Sequence, residues 1–365
     1  MSEKNNIAIV ADWIIGGGAE RVVEQLHKMY PEAPIYTSYC TNEWRSKLNG
    51  QVRTGWLQYW PFGALRKYIG TLRIFYFRFL NLKQYDTVIS CTGNGEAKFV
   101  RVKKPAQHIC YCFTPTHFYW RHYQTYLDNP GFGIFNPLAK LGLKILVTPL
   151  RKLDYRAAQK PNKFIAISSH IQSDIRKFYN RDSVIIHPPV DIERFKDIDN
   201  SPTKRTGFIT IGRQTPYKKT DLIIKAFNQL NFPLKVIGRG PEHQKLKALA
   251  GKSVIVLDDV SDEHVTKLLA SSKAFIFAAE EDFGIAPVEA LAAGTPVLAY
   301  KAGGALDFVK EGVNGAFFAK QTTEDIENAV KNFNFSQIDE EKVISSANKF
   351  SADNFKLKIT DFIEK

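Results

Sequence analysis

Residues 280–294 read E-E-D-F-G-I-A-P-V-E-A-L-A-A-G, and the run before them, 274–279, reads A-F-I-F-A-A. The apolar run predicts a buried parallel strand. Gly284 marks a short loop, and Pro287 falls in the first turn of a helix over 285–293, where a missing N–H costs nothing. Gly294-Thr295-Pro296 stops that helix before the next apolar run, Val297–Tyr300. A strand, a glycine turn and a helix start bring backbone N–H groups and a positive dipole end to one point, which suits a phosphate. Glu281 in the loop and Glu289 in the helix flank it, and carboxylates accept hydrogen bonds from hydroxyls. A phosphate beside a polyol implies a nucleotide sugar.

Outward from this stretch the chain alternates. Strands are predicted at Phe208–Ile211, Leu234–Ile237, Val254–Leu257 and Val297–Tyr300, with helices over 221–230, 242–250, 262–271 and 324–333. That is a βαβ series and predicts a parallel sheet covered on both faces. Gly212-Arg213 ends the first of these strands and opens R-Q-T-P-Y-K-K-T-D, which carries Arg213 and Lys218 toward the sheet's C-terminal edge. A last helix is expected over 350–363.

The N-terminal half is less regular. A strand over Ile7–Ala11 leads to Gly16-Gly17-Gly18 and a helix over 19–30. The glycines allow close approach of an anion, yet fit neither a P-loop nor G-x-G-x-x-G. Further strands are expected over 88–91, 109–113, 164–167 and 184–186, with a helix capped by Ser168-Ser169. Past the second of these stand T-P-T-H-F-Y-W-R-H-Y, polar and aromatic groups where open α/β sheets place ligands. The spacing of His117 and His122 is wrong for two metal ligands on one helix face. The polar stretch 196–206 reads as a linker, and 365 residues suffice for two domains.

A net charge of +13 favours an anionic partner. Arginine and lysine interleave with aromatics over 56–82, and a basic amphipathic stretch runs over 135–156; together they favour an anionic membrane surface, with Arg73 and Arg78 as its charges in the first. A nucleic-acid partner is not expected, because no strand-and-aromatic RNA module appears. Cys40, Cys91, Cys110 and Cys112 form no C-x-x-C pair, which fits a reducing, cytoplasmic setting. The opening M-S-E-K-N-N has no apolar signal core, and no run is long and apolar enough to span a bilayer. The expectation is a cytoplasmic protein, peripheral on the inner face of the cell membrane.

G-G-G-A-E, G-R-x4-K, G-x-G-P, E-x7-E enclosing F-G, and A-G-G at 302–304 occur in this order. The combination resembles the retaining nucleotide-sugar glycosyltransferases of family 4, most closely the bacterial O-antigen mannosyltransferase branch. The resemblance implies the GT-B fold: two Rossmann-like parallel-sheet domains facing each other across a cleft. It implies an acceptor domain over 1–195, a donor domain over 207–345 and a C-terminal helix over 346–365 crossing back to the first domain. Arg213 and Lys218 are implied to hold the donor's pyrophosphate, Glu289 the ribose and Glu281 the transferred sugar. Phe283, Gly284 and Ile285 are implied to meet phosphate or sugar, Gly17 and Gly18 the diphosphate, and Val260 the base. The activity implied is metal-independent, cofactor-free transfer of mannose or glucose from a GDP- or UDP-linked donor to a glycan or polyprenyl-linked acceptor, in surface polysaccharide synthesis. One departure stands out: Phe113 occupies the position of the branch's histidine in H-T-P, with His117 the nearest substitute for its catalytic place. A nucleotide-sugar-binding protein that has lost transfer is the alternative.

Overall fold

The computed structural model describes residues 6–66, 69–128, 130, 133–196, 205–258 and 260–364. The chain forms two compact units, Met1–Pro188 and Pro189–Lys365. The boundary falls earlier than residue 196. Val190 N–H donates to the Phe350 carbonyl at 2.8 Å, and Arg205 bonds Thr295, Ala293 and Glu340, so both ends of the 190–206 segment are anchored in the second unit. Most of the expected linker, residues 197–204, lies outside the described residues. The last helix, Ala352–Glu364, is counted with the second unit.

The first unit has a seven-stranded, all-parallel sheet in the order β3-β2-β1-β4-β5-β6-β7. Its strands are β1 Ile7–Ala11, β2 Ile35–Thr37, β3 Val52–Thr54, β4 Thr87–Thr92, β5 Gln107–Cys112, β6 Lys163–Ala166 and β7 Val184–Ile185. β2 and β3 are not legible in the sequence because three residues show no alternation. The second unit has a six-stranded parallel sheet ordered β10-β9-β8-β11-β12-β13. Its strands are β8 Phe208–Ile211, β9 Leu234–Ile237, β10 Val254–Leu257, β11 Ala274–Phe277, β12 Val297–Tyr300 and β13 Gly315–Phe318. Phe227, Leu246, Ile276 and Leu298 are fully buried in its core. The strand order reverses between β1 and β4 in one sheet and between β8 and β11 in the other. Such switch points open crevices at the carboxyl ends of the strands.

The region 56–82 is not one amphipathic helix. Among its described residues, Gly70–Arg78 is the regular α-helix, and Arg73 is buried within it. Its guanidinium donates from Nε (3.1 Å) and Nη2 (2.6 Å) to Glu96, a carboxyl at the β4 end. Arg73 is therefore unavailable to a lipid surface. Burial, then the neighbouring Asp12 charge, pushes the Glu96 carboxyl up to about 7 against the pull of Arg73. A second buried pair, Lys98 and Asp154 at 2.6 Å, ties the β4 loop to the helix Asn136–Ala158. Asp154 also accepts from Thr116, Trp120 and Tyr179, each at 2.8 Å, so the pair is well satisfied.

All four cysteines are buried and free. Among the described residues no helix is long and apolar enough to cross a membrane.

Removing one partner of a buried ion pair strands the other charge, at a cost of about 3–5 kcal/mol. Asp154→Ala is therefore expected to lower the urea midpoint of the N-terminal unit sharply. The double variant Lys98→Met/Asp154→Leu should recover only the part due to the stranded Lys98 charge, since Thr116, Trp120 and Tyr179 still lose their acceptor. An Asp154→Ala midpoint within error of wild type would contradict this account.

Candidate functional site

In the second unit, the site is built on the β8/β11 switch point. β8 ends at Ile211, and the chain continues through Gly212-Arg213 to one short turn, Pro216–Lys218. β11 ends at Phe277 and runs into the 280–284 loop. Lys218 Nζ reaches across and ion-pairs with Glu281 Oε1, both side chains part-buried. Arg213 lies on the same loop, with its side chain exposed. Gln214 is buried between them, its Oε1 2.8 Å from His243 Nδ1.

The 280–284 loop is held from one side by the A-G-G stretch. Gly304 N–H donates to the Glu281 carbonyl at 2.8 Å. Gly303 has φ +62, and a Cβ there would stand 2.3 Å from the Glu281 carbonyl oxygen, so only glycine fits. The loop then turns at Gly284, φ +103, into the helix Ile285–Ala292. Its N-cap is Gly284, which has no side chain to cap it. The helix's first-turn N–H groups and positive dipole end therefore stand where the 280–284 loop enters the helix. Phe283 is buried, edge-on to Phe308 and Phe350 with centroids 6.2 and 5.5 Å away, which fixes the loop from below.

Glu289, one turn into the helix, is 6% exposed rather than a solvated helix residue. Its Oε1 lies 3.0 Å from Arg194 Nη2. Arg194 is on the short turn Glu193–Phe195, which carries the buried Phe195. No local pattern announces it, because the pairing joins segments far apart in sequence. Val260 follows β10, the edge strand of this sheet, and is half-buried. The structure thus brings Lys218, Glu281, Phe283, Gly284, Ile285 and Glu289 onto adjoining elements, with Val260 at the sheet's margin.

Gly17, Gly18 and His117 belong to the first unit. Gly17 precedes the helix Gly18–Met29. The Glu20 carboxylate accepts from Ile15 N–H at 3.1 Å and Gly16 N–H at 3.0 Å, so an anion from the chain already occupies part of this glycine loop. The neighbouring hub is Asp12, directly after β1. It is buried and accepts from Thr92, Gly93 N–H, Asn94 N–H and Ala97 N–H at 2.6–3.1 Å. A polar residue at the carboxyl end of the first strand was the signal for it, and sequence reasoning passed it over.

Phe113 and His117 both lie beside Gly93, past the ends of β4 and β5. A Cβ on Gly93 would stand 3.6 Å from that of Phe113. Burial, reinforced by His122, pushes the His117 imidazole down to about 4, against a hydrogen bond with the Gly93 backbone. Its Nε2 is 3.0 Å from the Tyr126 hydroxyl. At neutral pH His117 is therefore an uncharged hydrogen-bonding group and supplies no positive charge to a phosphate.

Residues 191–350 match the family described as Glycosyl transferases group 1. An uncharacterized glycosyltransferase of Methanocaldococcus jannaschii is 24% identical over 179 residues, 48% of this chain and 50% of that protein. The alpha-1,3/1,6-mannosyltransferase alg2 of Schizosaccharomyces pombe is 24% identical over 359 residues, 82% of this chain and 68% of that one. The chain spans half or less of the length of the first curated relatives it matches. Among solved structures, Anabaena HepE in complex with UDP-glucose is similar at a TM-score of 0.68 and 18% identity, covering 98% of this chain and 99% of that one. The fold is GT-B, with two Rossmann-like, all-parallel domains.

Gly303→Ala adds both a strained φ and a clash with the Glu281 carbonyl, at a cost of about 1–3 kcal/mol. The expected readout is lost hydrogen-exchange protection at the Gly304 amide together with a lower unfolding midpoint. Unchanged protection would separate the A-G-G stretch from the 280–284 loop.

Proposed function

We propose that the protein is a retaining hexosyltransferase that moves mannose or glucose from a GDP- or UDP-linked donor to a glycan or polyprenyl-linked acceptor in surface polysaccharide synthesis. One observation carries the reading: Lys218 and Glu281 meet at a sheet switch point in the loop that leads through Gly284 into a helix start, inside the stretch that matches group 1 glycosyl transferases. A cation, an anion and a positive dipole end together complement a pyrophosphate joined to a sugar. The Glu281 carboxylate sits on Lys218 as a phosphate oxygen of a donor would. On binding, Lys218 and Arg213 hold the diphosphate, and Glu281 is released to the hydroxyls of the transferred hexose. Phe283, Gly284 and Ile285 present backbone at the phosphate–sugar junction, Glu289 takes the ribose, and Val260 borders the base. Gly17 and Gly18, in the first unit, offer glycine backbone that suits a diphosphate. The hexose carried by HepE's ligand and the name of the yeast relative support a hexose donor.

In the reaction the bond from the anomeric carbon to the phosphate oxygen breaks, and the acceptor oxygen bonds that carbon on the same face. The acceptor's proton passes to a phosphate oxygen of the leaving diphosphate. Arg213 and Lys218 neutralise the charge that grows there, so the transfer runs without a metal ion. His117, uncharged, orients the acceptor or the sugar by hydrogen bonding in the place of the branch histidine.

Lys218→Ala and Glu281→Ala are each expected to cut turnover by about 10² or more, as loss of one charge-stabilising group does. The assay is release of UDP or GDP from UDP-glucose and GDP-mannose with a membrane extract as acceptor. Near-wild-type rates in both variants would reject the site. Phe113 favours one competing reading, a donor-binding protein without transfer; tight donor binding with no transfer from either donor is its signature.

The acceptor side suits a protein working at the cytoplasmic face of an anionic membrane. The helix Asn136–Ala158 exposes Leu138 (69%), Leu141, Ile145 (63%) and Leu146 to solvent. Its exposed charges include Lys144, Lys152 and Arg156, and its sole acid, Asp154, is buried against Lys98. Apolar side chains beside unopposed cations match an anionic bilayer interface. Sedimentation with phosphatidylglycerol-containing vesicles is expected, and loss of it in Leu141→Glu/Ile145→Glu. Equal binding to pure phosphatidylcholine vesicles would refute the electrostatic component.

A further inference from the structure

Arg194 is absent from the ligand set described so far, yet it is the group against which Glu289 is set. Glu289 is buried, and a buried carboxylate needs hydrogen-bonding or charged partners to stay in place. The Arg194 guanidinium provides one at 3.0 Å and is itself mostly enclosed. Its Nε is buried and finds no hydrogen-bond partner. Arg194 is also firmly held: its guanidinium lies 4.8 Å from the Phe195 ring centroid, and Phe195 and Ile192 are buried on either side of it. The segment is pinned upstream by the Val190 N–H bond to Phe350.

We propose that Arg194 is a positioning residue for the nucleotide, fixing the Glu289 carboxylate so that it accepts the hydroxyls of the donor's ribose. The inference rests on the assignment of Glu289 to the ribose made above. A vicinal diol donates two hydrogen bonds, and a carboxylate takes both only when its plane is fixed. The planar guanidinium is suited to fixing it, because its donors sit in a rigid fork. Arg194 thereby makes the second unit select a ribonucleoside diphosphate over one lacking sugar hydroxyls. Lysine, a point charge on a flexible stem, replaces the charge and not the geometry.

The test compares binding of UDP and 2′,3′-dideoxy-UDP, with GDP and its dideoxy counterpart in parallel, to the full chain by calorimetry. The ratio of the two affinities isolates the ribose hydroxyls, because base and phosphates are common to both ligands. In the wild type the ribonucleotide is expected to bind about tenfold or more tighter, as a site built to hydrogen-bond a hydroxyl discriminates against its absence. Arg194→Gln should bring the ratio close to one while leaving dideoxynucleotide affinity unchanged, and Arg194→Lys should recover part of it. A merely structural role would weaken both ligands equally and keep the ratio, which overturns the proposal. If Arg194→Gln does not fold, the Arg194→Lys ratio decides alone: a wild-type value overturns the proposal, and a reduced one supports it. Glu289→Gln separates the two layers. Should it leave the ratio at the wild-type value, the ribose assignment itself fails. Should it abolish the ratio while Arg194→Gln does not, only the role of Arg194 fails.

Discussion

Lys218 and Glu281 meet because β8 and β11 are neighbours in the sheet while being distant in the chain. The candidate site depends on this adjacency. At a switch point the loops leaving two neighbouring strands diverge, which leaves a crevice at their carboxyl ends. The helix Ile285–Ala292 begins directly after the loop that carries Glu281 to that crevice, and the Gly304 N–H holds this loop through the Glu281 carbonyl. The ion pair standing in the crevice compensates both charges.

The first unit uses the same topology differently. At its β1/β4 switch point an aspartate, Asp12, takes up a cluster of backbone N–H groups and so fixes the loop from within. Two buried ion pairs, Arg73–Glu96 and Lys98–Asp154, lie close by. Such pairs contribute little net stability relative to well-packed apolar residues, but breaking one is costly. Their effect is to give the strand ends a single arrangement.

These pairs also redistribute the meaning of the net charge of +13. Arg73, Lys98 and Arg194 are cations that never reach a partner surface, since each is spent on an internal carboxylate. Exposed cations remain on elements such as Asn136–Ala158, whose one acid, Asp154, is buried against Lys98.

Much of the second unit was legible in the sequence. Strands β8, β9, β10 and β12 stand where the apolar runs put them, and so does the glycine turn into the Ile285–Ala292 helix, because each is written in a local period or a local breaker. Strand ends placed Lys218 on the sheet's C-terminal edge and Glu281 and Gly284 in one loop, while their grouping around one ligand came from the family resemblance. The burial of Arg73 was not legible, since a basic-aromatic stretch reads the same whether its arginine faces solvent or a carboxylate brought in from β4. The partnership of Arg194 with Glu289 was equally hidden, as was the hub at Asp12. Local order is carried by neighbours in the chain, and the sequence by itself determined it. Which charges are matched, buried or left to a ligand depends on segments that meet only when the sheets form, and the tertiary structure alone decided that.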